Sequence, residues 1–333
     1  MIGFALRVAV FMAALVVAAL VPTFVGEFRA SQLTYVGVYF IAVLGLNVLT
    51  GYTGQISLGH GAFMALGGYT TAILVADHGV RDFWTIPLAG LVAGLGGFAF
   101  GIPALRLRGL YLALATFGIA VSMPELIRKF SGLTHGSRGI QLFGLPGYTG
   151  GGFAHVHPLG VDLSFQDWLY YLTWAIAALL FVVAWALLRG RPGLAFRALR
   201  DSEIAAAAFG VNPAAWKTLA FAVSAAYAGV AGSLFVLLNN GFVNPQTFPI
   251  TLSLTLVVGA VVAGLGSLSG ILAGAVIVEY LPIWAGDVAK SPGVPSVVYG
   301  AVLIALVLLL PGGAAGLLRA LVSPLTRLGA RRS

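Results

Sequence analysis

Long apolar runs, separated by short polar connections, dominate the sequence from end to end. A helix needs about 20 apolar residues to cross the hydrocarbon layer of a membrane, and its backbone hydrogen bonds are satisfied internally. We interpret each run of that size as a spanning helix. The ten candidates lie near 4–23, 33–50, 56–76, 86–104, 110–128, 167–188, 217–238, 250–265, 269–286 and 295–311. The pattern predicts an all-α, polytopic transmembrane bundle that forms a single domain over 1–333.

Two places decide how many runs are true spans. The run 4–23 has one early Arg7 and no convincing small-residue cleavage site, which favours a retained first span over a signal peptide. The eighth and ninth runs meet at the tight turn 264–267, and a re-entrant hairpin there would leave eight or nine spans. The sequence is therefore compatible with eight to ten spans.

The distribution of Lys and Arg predicts the orientation, because short cytoplasmic connections carry most of these residues. With the N-terminus inside, the cytoplasmic connections contain Arg7, Arg106, Arg108, Arg189, Arg191, Arg197, Arg200, Lys217, Arg319, Arg327, Arg331 and Arg332. The external connections contain Arg29, Arg81, Arg128, Lys129, Arg138 and Lys290. We therefore expect ten spans with both the N-terminus and the C-terminus in the cytoplasm.

Two connections are long enough to contain structure of their own. The first, 129–166, is rich in Gly, Pro, His and Tyr and is predicted to be an external loop. The second, 189–216, is predicted to be cytoplasmic. Within it, Pro192 and Gly193 break the preceding helix, and the Ala-rich run 195–208 favours a new one.

The predicted helix at 195–208 is stopped by Gly210 and the following Asn-Pro pair. Its charged residues would be exposed to a soluble partner, while its small Ala side chains would allow close backbone approach. These charged residues are Arg197, Arg200, Asp201 and Glu203. The alternative interpretation is a surface linker helix that joins two halves of a bundle.

A second segment, 50–61, interrupts an otherwise apolar region with Gly, Gln, Ser and His. Irregular backbone at membrane depth is tolerated where it lines a cavity, so this composition predicts part of a solute pathway. The candidate pathway residues are Asn47, Gln55, Ser57 and His60. Asn47 could instead form a hydrogen bond between helices. The segment 264–270 has a similar but weaker Gly- and Ser-rich composition, which is compatible with an internal repeat.

Composition narrows the function classes. Of the 333 residues, 59% are apolar and 8% are charged, too few charges to cover a water-facing surface. The net charge of +8 comes from residues at the ends of apolar runs, so it reflects membrane topology and not nucleic-acid binding. There is no Cys, which excludes thiolate metal sites and cysteine nucleophiles.

The sequence contains no phosphate-binding loop, no His-Glu-x-x-His pattern and no Gly-x-Ser-x-Gly motif. We therefore predict a non-enzymatic chain without cofactor, catalytic residues or metal site. Besides Asp167, which is the first residue of its run, two carboxylates lie within predicted spans. Glu125 lies three residues before Arg128, which favours a surface ion pair, whereas Glu279 lies near mid-span and could line a pathway or contact a neighbouring helix.

Several motifs closely resemble one family across nearly the whole chain. They are GLNVLTGYTGQISLGHGAF at 45–63, RGLYLALATF at 108–117, LTHGSRGI at 133–140, ALRDSEIAAAAFGVN at 198–212, KTLAFAVSA at 217–225 and GLGSLSG at 264–270. The chain resembles the branched-chain amino acid ABC importer permeases of the LivM type.

This resemblance implies a transport subunit in the inner membrane of a bacterium or archaeon. Its implied partners are a second permease, two ATP-binding subunits, an external solute-binding protein, the lipid bilayer and an amino acid substrate, with no nucleic acid. The segment 194–212 resembles the coupling segment that docks on an ATP-binding subunit. Here Glu203 is followed by Ile204, then by Ala205 and Ala206, with Gly210 further on, which is one residue longer than the family's Glu-Ala-Ala…Gly pattern.

Alternatives remain at the level of substrate and of mechanism. Some relatives carry urea, amides or aromatic acids instead of leucine, isoleucine and valine. A stand-alone secondary transporter would need coupling ions or selectivity features, yet Asp, Glu and Lys are nearly absent at mid-membrane positions. A membrane scaffold would not need the polar, Gly-broken segment at 50–61.

Overall fold

A computed structural model describes residues 27–105, 107, 109–150, 155–156, 163–288, 293–309 and 312–317. The predicted first span at 4–23 lies outside these residues. The helices are α1 Glu27–Leu46, α2 His60–His78, α3 Asp82–Ala104, α4 Leu110–Lys129, α5 Ser131–Thr134, α6 Phe165–Arg189, α7 Arg191–Asp201, α8 Glu203–Ala208, α9 Pro213–Leu238, α10 Ile250–Ala263, α11 Ile271–Val288 and α12 Val294–Leu309.

Two helical segments of other types and four very short strands complete the described structure. A π-helix, Asn47–Tyr52, continues α1, and a 3₁₀ turn, Gly136–Arg138, follows α5. The antiparallel pairs are β1 Ile140–Gln141 with β4 Phe242–Val243, and β2 His155–Val156 with β3 Leu163–Ser164.

The described helices confirm a helical membrane bundle. Six of them are long and apolar enough to cross a membrane: α1 with its π-helical extension, α3, α4, α6, α9 and α11. Two shorter apolar helices, α10 and α12, accompany them. Their bounds differ from the predicted runs by a few residues. The count of ten spans and the location of the termini stay predictions.

The bundle is organised around α9, which packs against α1, α2 and α3. Small residues bring the backbones together at one crossing, as is common between membrane helices. A Cβ atom added at Gly67 of α2 would overlap the backbone of Gly229 in α9, and one added at Gly229 would overlap Ala89 and Ala93 of α3. Both glycines are therefore required by the close approach of three helices.

The connections gather at two ends of the bundle. At one, here called the Asp82 end, Asp82 accepts hydrogen bonds from the backbone N–H and the hydroxyl of Thr149, at 2.8 and 2.7 Å. Tyr148 donates to the carbonyl oxygen of Leu237 at the same end, and β1 pairs with β4. The segment 140–150 is thus fastened over the ends of α3 and α9.

The opposite end, here called the Arg200 end, contains the π-helix, α7, α8 and the turn 264–270. The backbone of 312–317 also lies there, since a Cβ atom added at Gly264 would come within 3.0 Å of Ala315. Which end faces the cytoplasm stays a prediction.

The prediction of one helix over 195–208 is wrong. The break before it falls at Gly190, and Pro192 and Gly193 lie inside the first turn of α7. Proline is tolerated there because the first N–H groups of a helix have no intrahelical partner. Ser202 then adopts an extended conformation and separates α7 from α8. Ser and Asp residues favour such a boundary because their side chains bond nearby backbone groups.

The predicted ion pair between Glu125 and Arg128 is confirmed, on an exposed face near the end of α4. Such exposed pairs contribute about 0–1 kcal/mol to stability.

Candidate functional site

The helix that begins as α1 changes character before it ends. Its last six residues, Asn47–Tyr52, form a π-helix, an irregularity often found at functional sites. An irregular segment, 53–59, then leads to α2. Leu58 donates its backbone N–H to Thr116 of α4, and Gly61 donates to Ser253 of α10, both over 2.9 Å. Side chains of two neighbouring helices thus replace the backbone hydrogen bonds that a continuous helix would have supplied.

Asn47 connects this broken helix to the turn between α10 and α11. Its side-chain amide donates to the carbonyl oxygen of Ser267 over 2.7 Å and accepts from the N–H of Gly266 over 2.9 Å. The side chain is fully buried. A Cβ atom added at Gly51 would collide with the backbone of Gly266, so the two segments are in close contact. Asn47 therefore acts as a clamp in this conformation, whereas its role in a pathway stays a prediction.

The other three candidate pathway residues, Gln55 and Ser57 in the irregular segment and His60 at the start of α2, are buried. The Gln55 amide donates to the Thr53 hydroxyl over 3.0 Å, and the Ser57 hydroxyl accepts from the N–H of Gly59 over 3.4 Å. Nε2 of His60 is buried without a hydrogen-bond partner in the part of the chain that the structure describes. A pathway role for these residues also stays a prediction.

The helix α8 has defined caps at both ends. The Ser202 hydroxyl accepts from the N–H of Ala205 over 3.2 Å, a standard N-cap bond. At the other end Gly210 is left-handed, with φ of 82°, and donates to the carbonyl oxygen of Ala207 while Val211 donates to that of Ala206. This is the Schellman arrangement, in which glycine is favoured because it lacks a Cβ atom. Gly210 thus ends α8. Ala206, in the same helix, is buried.

The four charged candidate residues of α7 and α8 have different surroundings. Arg197 binds the carbonyl oxygens of Gly193 and Leu188, at 3.1 and 3.3 Å, and so joins α7 to the end of α6. Asp201 is exposed beside Arg200. Glu203 forms an ion pair with Lys217 at the start of α9.

Arg200 makes the contact that unites the two candidate segments. Its Nη1 donates to the carbonyl oxygen of Gly51 over 3.1 Å, and its aliphatic stem packs close to Gly54. It also lies beside Gly266. The sequence did not reveal this contact, since 149 residues separate the two partners.

Large apolar side chains are exposed on α7, on α8 and at the residue that follows α8, beside the exposed charges. Leu194 is 62% exposed, Ile204 80% and Phe209 89%. A cleft of about 470 Å³ lies between α8 and the start of α9, lined by Ile204, Ala207 and Lys217 among others. Large apolar side chains that are exposed together mark an interaction surface. Sequence reasoning selected the charged residues here and missed these apolar ones.

Comparison with known proteins identifies the family. The chain matches the family of branched-chain amino acid transport system permease components over residues 28–307. It is 38% identical over 280 residues to the high-affinity branched-chain amino acid transport system permease protein LivM of Salmonella typhimurium, and 36% over 290 residues to LivM of Escherichia coli.

These alignments cover 80% and 83% of this chain, and 65% and 68% of the two relatives. The chain thus spans about two thirds of the length of the LivM proteins that it matches. It is also 25% identical to the permease protein LivH of Escherichia coli, over 84% of this chain and 91% of LivH. Comparison with solved structures found no significant match. The chain belongs to the branched-chain amino acid transport system permease family.

Proposed function

We propose that this chain is the membrane-spanning permease subunit of an ATP-driven importer of leucine, isoleucine and valine. Its partners would be a second permease, two ATP-binding subunits and an external solute-binding protein, in the inner membrane of a bacterium or archaeon. Family membership and the names of the LivM and LivH relatives support the substrate class. The chain itself would carry no catalytic residue.

The observation that carries the proposal is the bond between Arg200 and Gly51. It joins an exposed pair of helices, which carry large apolar side chains on their outer surface, to the broken helix of the bundle. An importer without its own nucleotide site needs such a link, because the free energy of ATP binding must reach the solute pathway from another subunit.

The proposed sequence of events follows from these contacts. An ATP-binding subunit docks on Leu194, Ile204 and Phe209, and its closure displaces α7 and α8. Arg200 transmits the displacement to Gly51 and, through the Asn47 clamp, to the turn at 264–270. The bundle then alternates between outward-open and inward-open states. Gln55, Ser57 and His60 would face the solute in at least one of them.

The proposed topology places the Arg200 end in the cytoplasm and the Asp82 end outside. The external loop 129–166 would then meet the solute-binding protein, and 189–216 would be the cytoplasmic coupling segment. Ten spans, with both termini in the cytoplasm, are consistent with the excess of Lys and Arg in the connections of the Arg200 end.

Purification of the chain with its bound partners, followed by uptake in proteoliposomes, tests the proposal. We expect a second permease and two ATP-binding subunits to copurify, and ATP-dependent uptake of leucine with the solute-binding protein present. If urea or an aromatic acid were taken up instead of leucine, the chain would still be an importer subunit, but the proposed substrate would be wrong. Solute movement by the chain alone, without ATP, would show a secondary transporter and overturn the proposal.

A further inference from the structure

Glu279 has an unusual position among the acidic residues of the described spanning helices. It lies in α11 more than two turns from either end, whereas the other carboxylates in these helices lie within five residues of a helix end. Placing a carboxylate at the centre of a membrane costs several kcal/mol, so such residues usually face the interior and serve a function. The coupling mechanism proposed above does not use it.

The carboxylate of Glu279 makes no hydrogen bond or ion pair within the part of the chain that the structure describes. It is partly buried and lies close enough to Tyr35 and Tyr39 of α1 to interact with them electrostatically. These two rings pack on Phe235 of α9, with centroids 5.5 and 6.4 Å away. Within the described residues, an acidic group thus adjoins an aromatic cluster and has no ion-pair partner.

A cavity of about 350 Å³ adjoins this cluster. Its walls include the rings of Tyr39 and Phe235, the Thr251 and Thr255 side chains of α10, and Val278 and Pro282, which flank Glu279 along α11. This volume is near the lower end of the range for small-molecule sites. Walls that combine apolar groups with hydroxyls and the Gln246 amide, together with one nearby carboxylate, suit a small molecule with one positive group and an aliphatic part.

We propose that this cavity holds an amino acid during transport, with Glu279 as the counter-charge of its ammonium group. The inference rests on the proposed function and adds to it a substrate-contacting residue. A carboxylate binds ammonium through charge-assisted hydrogen bonds, and the faces of Tyr39 and Phe235 add cation–π attraction. The aliphatic side chain would lie against Val278 and Pro282.

A merely structural role of Glu279, in which it joins α11 to α1, makes a different prediction. Glutamine has nearly the same shape and retains hydrogen-bonding ability, so it would satisfy a structural role. Only a role in ammonium binding requires the negative charge. Ligands that lack the ammonium group separate the two roles as well.

Because the sequence contains no cysteine, a single introduced cysteine can be labelled specifically. In right-side-out membrane vesicles, a Thr251→Cys variant would be labelled with a small maleimide in the presence of leucine, leucinamide or 4-methyl-2-oxopentanoate. Leucinamide retains the ammonium group of leucine and lacks its carboxylate. The oxo acid retains the carboxylate and lacks the ammonium group. We expect leucine and leucinamide to slow labelling and the oxo acid to have no effect.

Adding Glu279→Gln to Thr251→Cys should raise the half-protecting leucine concentration at least about tenfold, and Glu279→Asp should raise it less. Glu125→Gln is the matched control, because that carboxylate is exposed at the end of α4 and should leave protection unchanged. Equal protection in Glu279→Gln, protection by the oxo acid, or no protection by leucine would each overturn the inference. The labelling needs no ATP, so it can fail while ATP-driven leucine uptake persists, and the two proposals are tested separately.

Discussion

The guanidinium of Arg200 and the carbonyl oxygen of Gly51, 3.1 Å apart, join the exposed helices α7 and α8 to the interrupted membrane helix. This carbonyl is available because Gly51 lies in the last turn of the helical segment, where carbonyl oxygens have no partner within the helix. A charged group that binds a neutral carbonyl can follow small shifts of the backbone without losing its partner. The contact is therefore suited to transmitting movement.

Arg200→Gln should uncouple ATP hydrolysis from transport. Glutamine is shorter than arginine and uncharged, so the charge-assisted hydrogen bond to Gly51, of about 1.5–3 kcal/mol, is lost. We expect leucine uptake to fall about tenfold or more while ATP hydrolysis by the purified complex persists. Uptake and hydrolysis would be measured on the same preparation.

Arg191→Gln serves as the control for this variant, because Arg191 is exposed at the start of α7, on the same end of the bundle. It should transport normally. Normal transport by Arg200→Gln would show that the bond to Gly51 does not transmit the motion.

Gly210→Val should weaken the docking of ATP-binding subunits. The left-handed conformation costs a residue with a Cβ atom about 1–2 kcal/mol, and more when the side chain is β-branched. No atom of the described residues lies within 4 Å of a Cβ atom added there, so the cost is conformational and not steric. We expect less ATP-binding subunit to copurify, with the helix content unchanged by circular dichroism.

Gly210→Asn is the matched substitution, since Asn tolerates the left-handed region and should retain most of the docking. If valine and asparagine gave the same loss, the Schellman stop would not be the reason for glycine at this position.

Asn47→Ala should destabilise the bundle. It leaves the buried carbonyl of Ser267 without a partner, at about 1–3 kcal/mol, and removes the acceptor for the partly buried N–H of Gly266. Thermal unfolding of the purified chain in detergent should shift downward by several degrees. Asn47→Asp retains the acceptor for Gly266 and loses the donor for Ser267, so it should lower the unfolding temperature as well. An unchanged unfolding temperature in both variants would contradict the clamp.

Asp82→Ala should release the segment 140–150. The substitution removes the acceptor for both groups of Thr149. The anchors that remain include the hydrogen bond from Tyr148 to Leu237 and the pairing of β1 with β4. Burial, with the nearby charge of Asp82, raises the pKa of Tyr148, so its hydroxyl stays protonated at neutral pH. Limited proteolysis should cut this segment faster than in wild type, whereas Thr149→Val, which removes one bond, should have a smaller effect.

Cysteine labelling should settle the orientation. Ser137→Cys and Ala208→Cys place single exposed cysteines near opposite ends of the bundle. A membrane-impermeant maleimide added to intact cells should label the first and not the second, and should label both after permeabilisation. The reverse pattern would invert the topology.

Much of the bundle could be predicted from the sequence because the apolar runs are long and end at charged or helix-breaking residues. The bounds of α4 and α6 were predicted to within two residues, since Lys129 and Arg189 end their runs. The split at Ser202 was missed because the high helix propensity of an Ala-rich stretch favours one continuous helix. A single serine that caps a second helix does not stand out in such a stretch.

The site was only partly predictable. The unusual composition of 50–61 and of 197–210 identified both segments, but Asn47 and Ser267 are 220 residues apart, and no local pattern pairs them. The apolar residues Ile204 and Phe209 were passed over because an apolar residue in a membrane protein is not distinctive until its exposure is known. Contacts between distant segments and the solvent exposure of side chains both require the fold.

The crossing at Gly67 and Gly229 limits how the bundle can move. With backbone against backbone and no side chain between them, α2, α3 and α9 have no compressible layer to absorb a sliding motion. These helices should turn together as one rigid block about that point. The opening and closing of a solute route would then fall to the least buried of the six candidate spans, α4, α6 and α11.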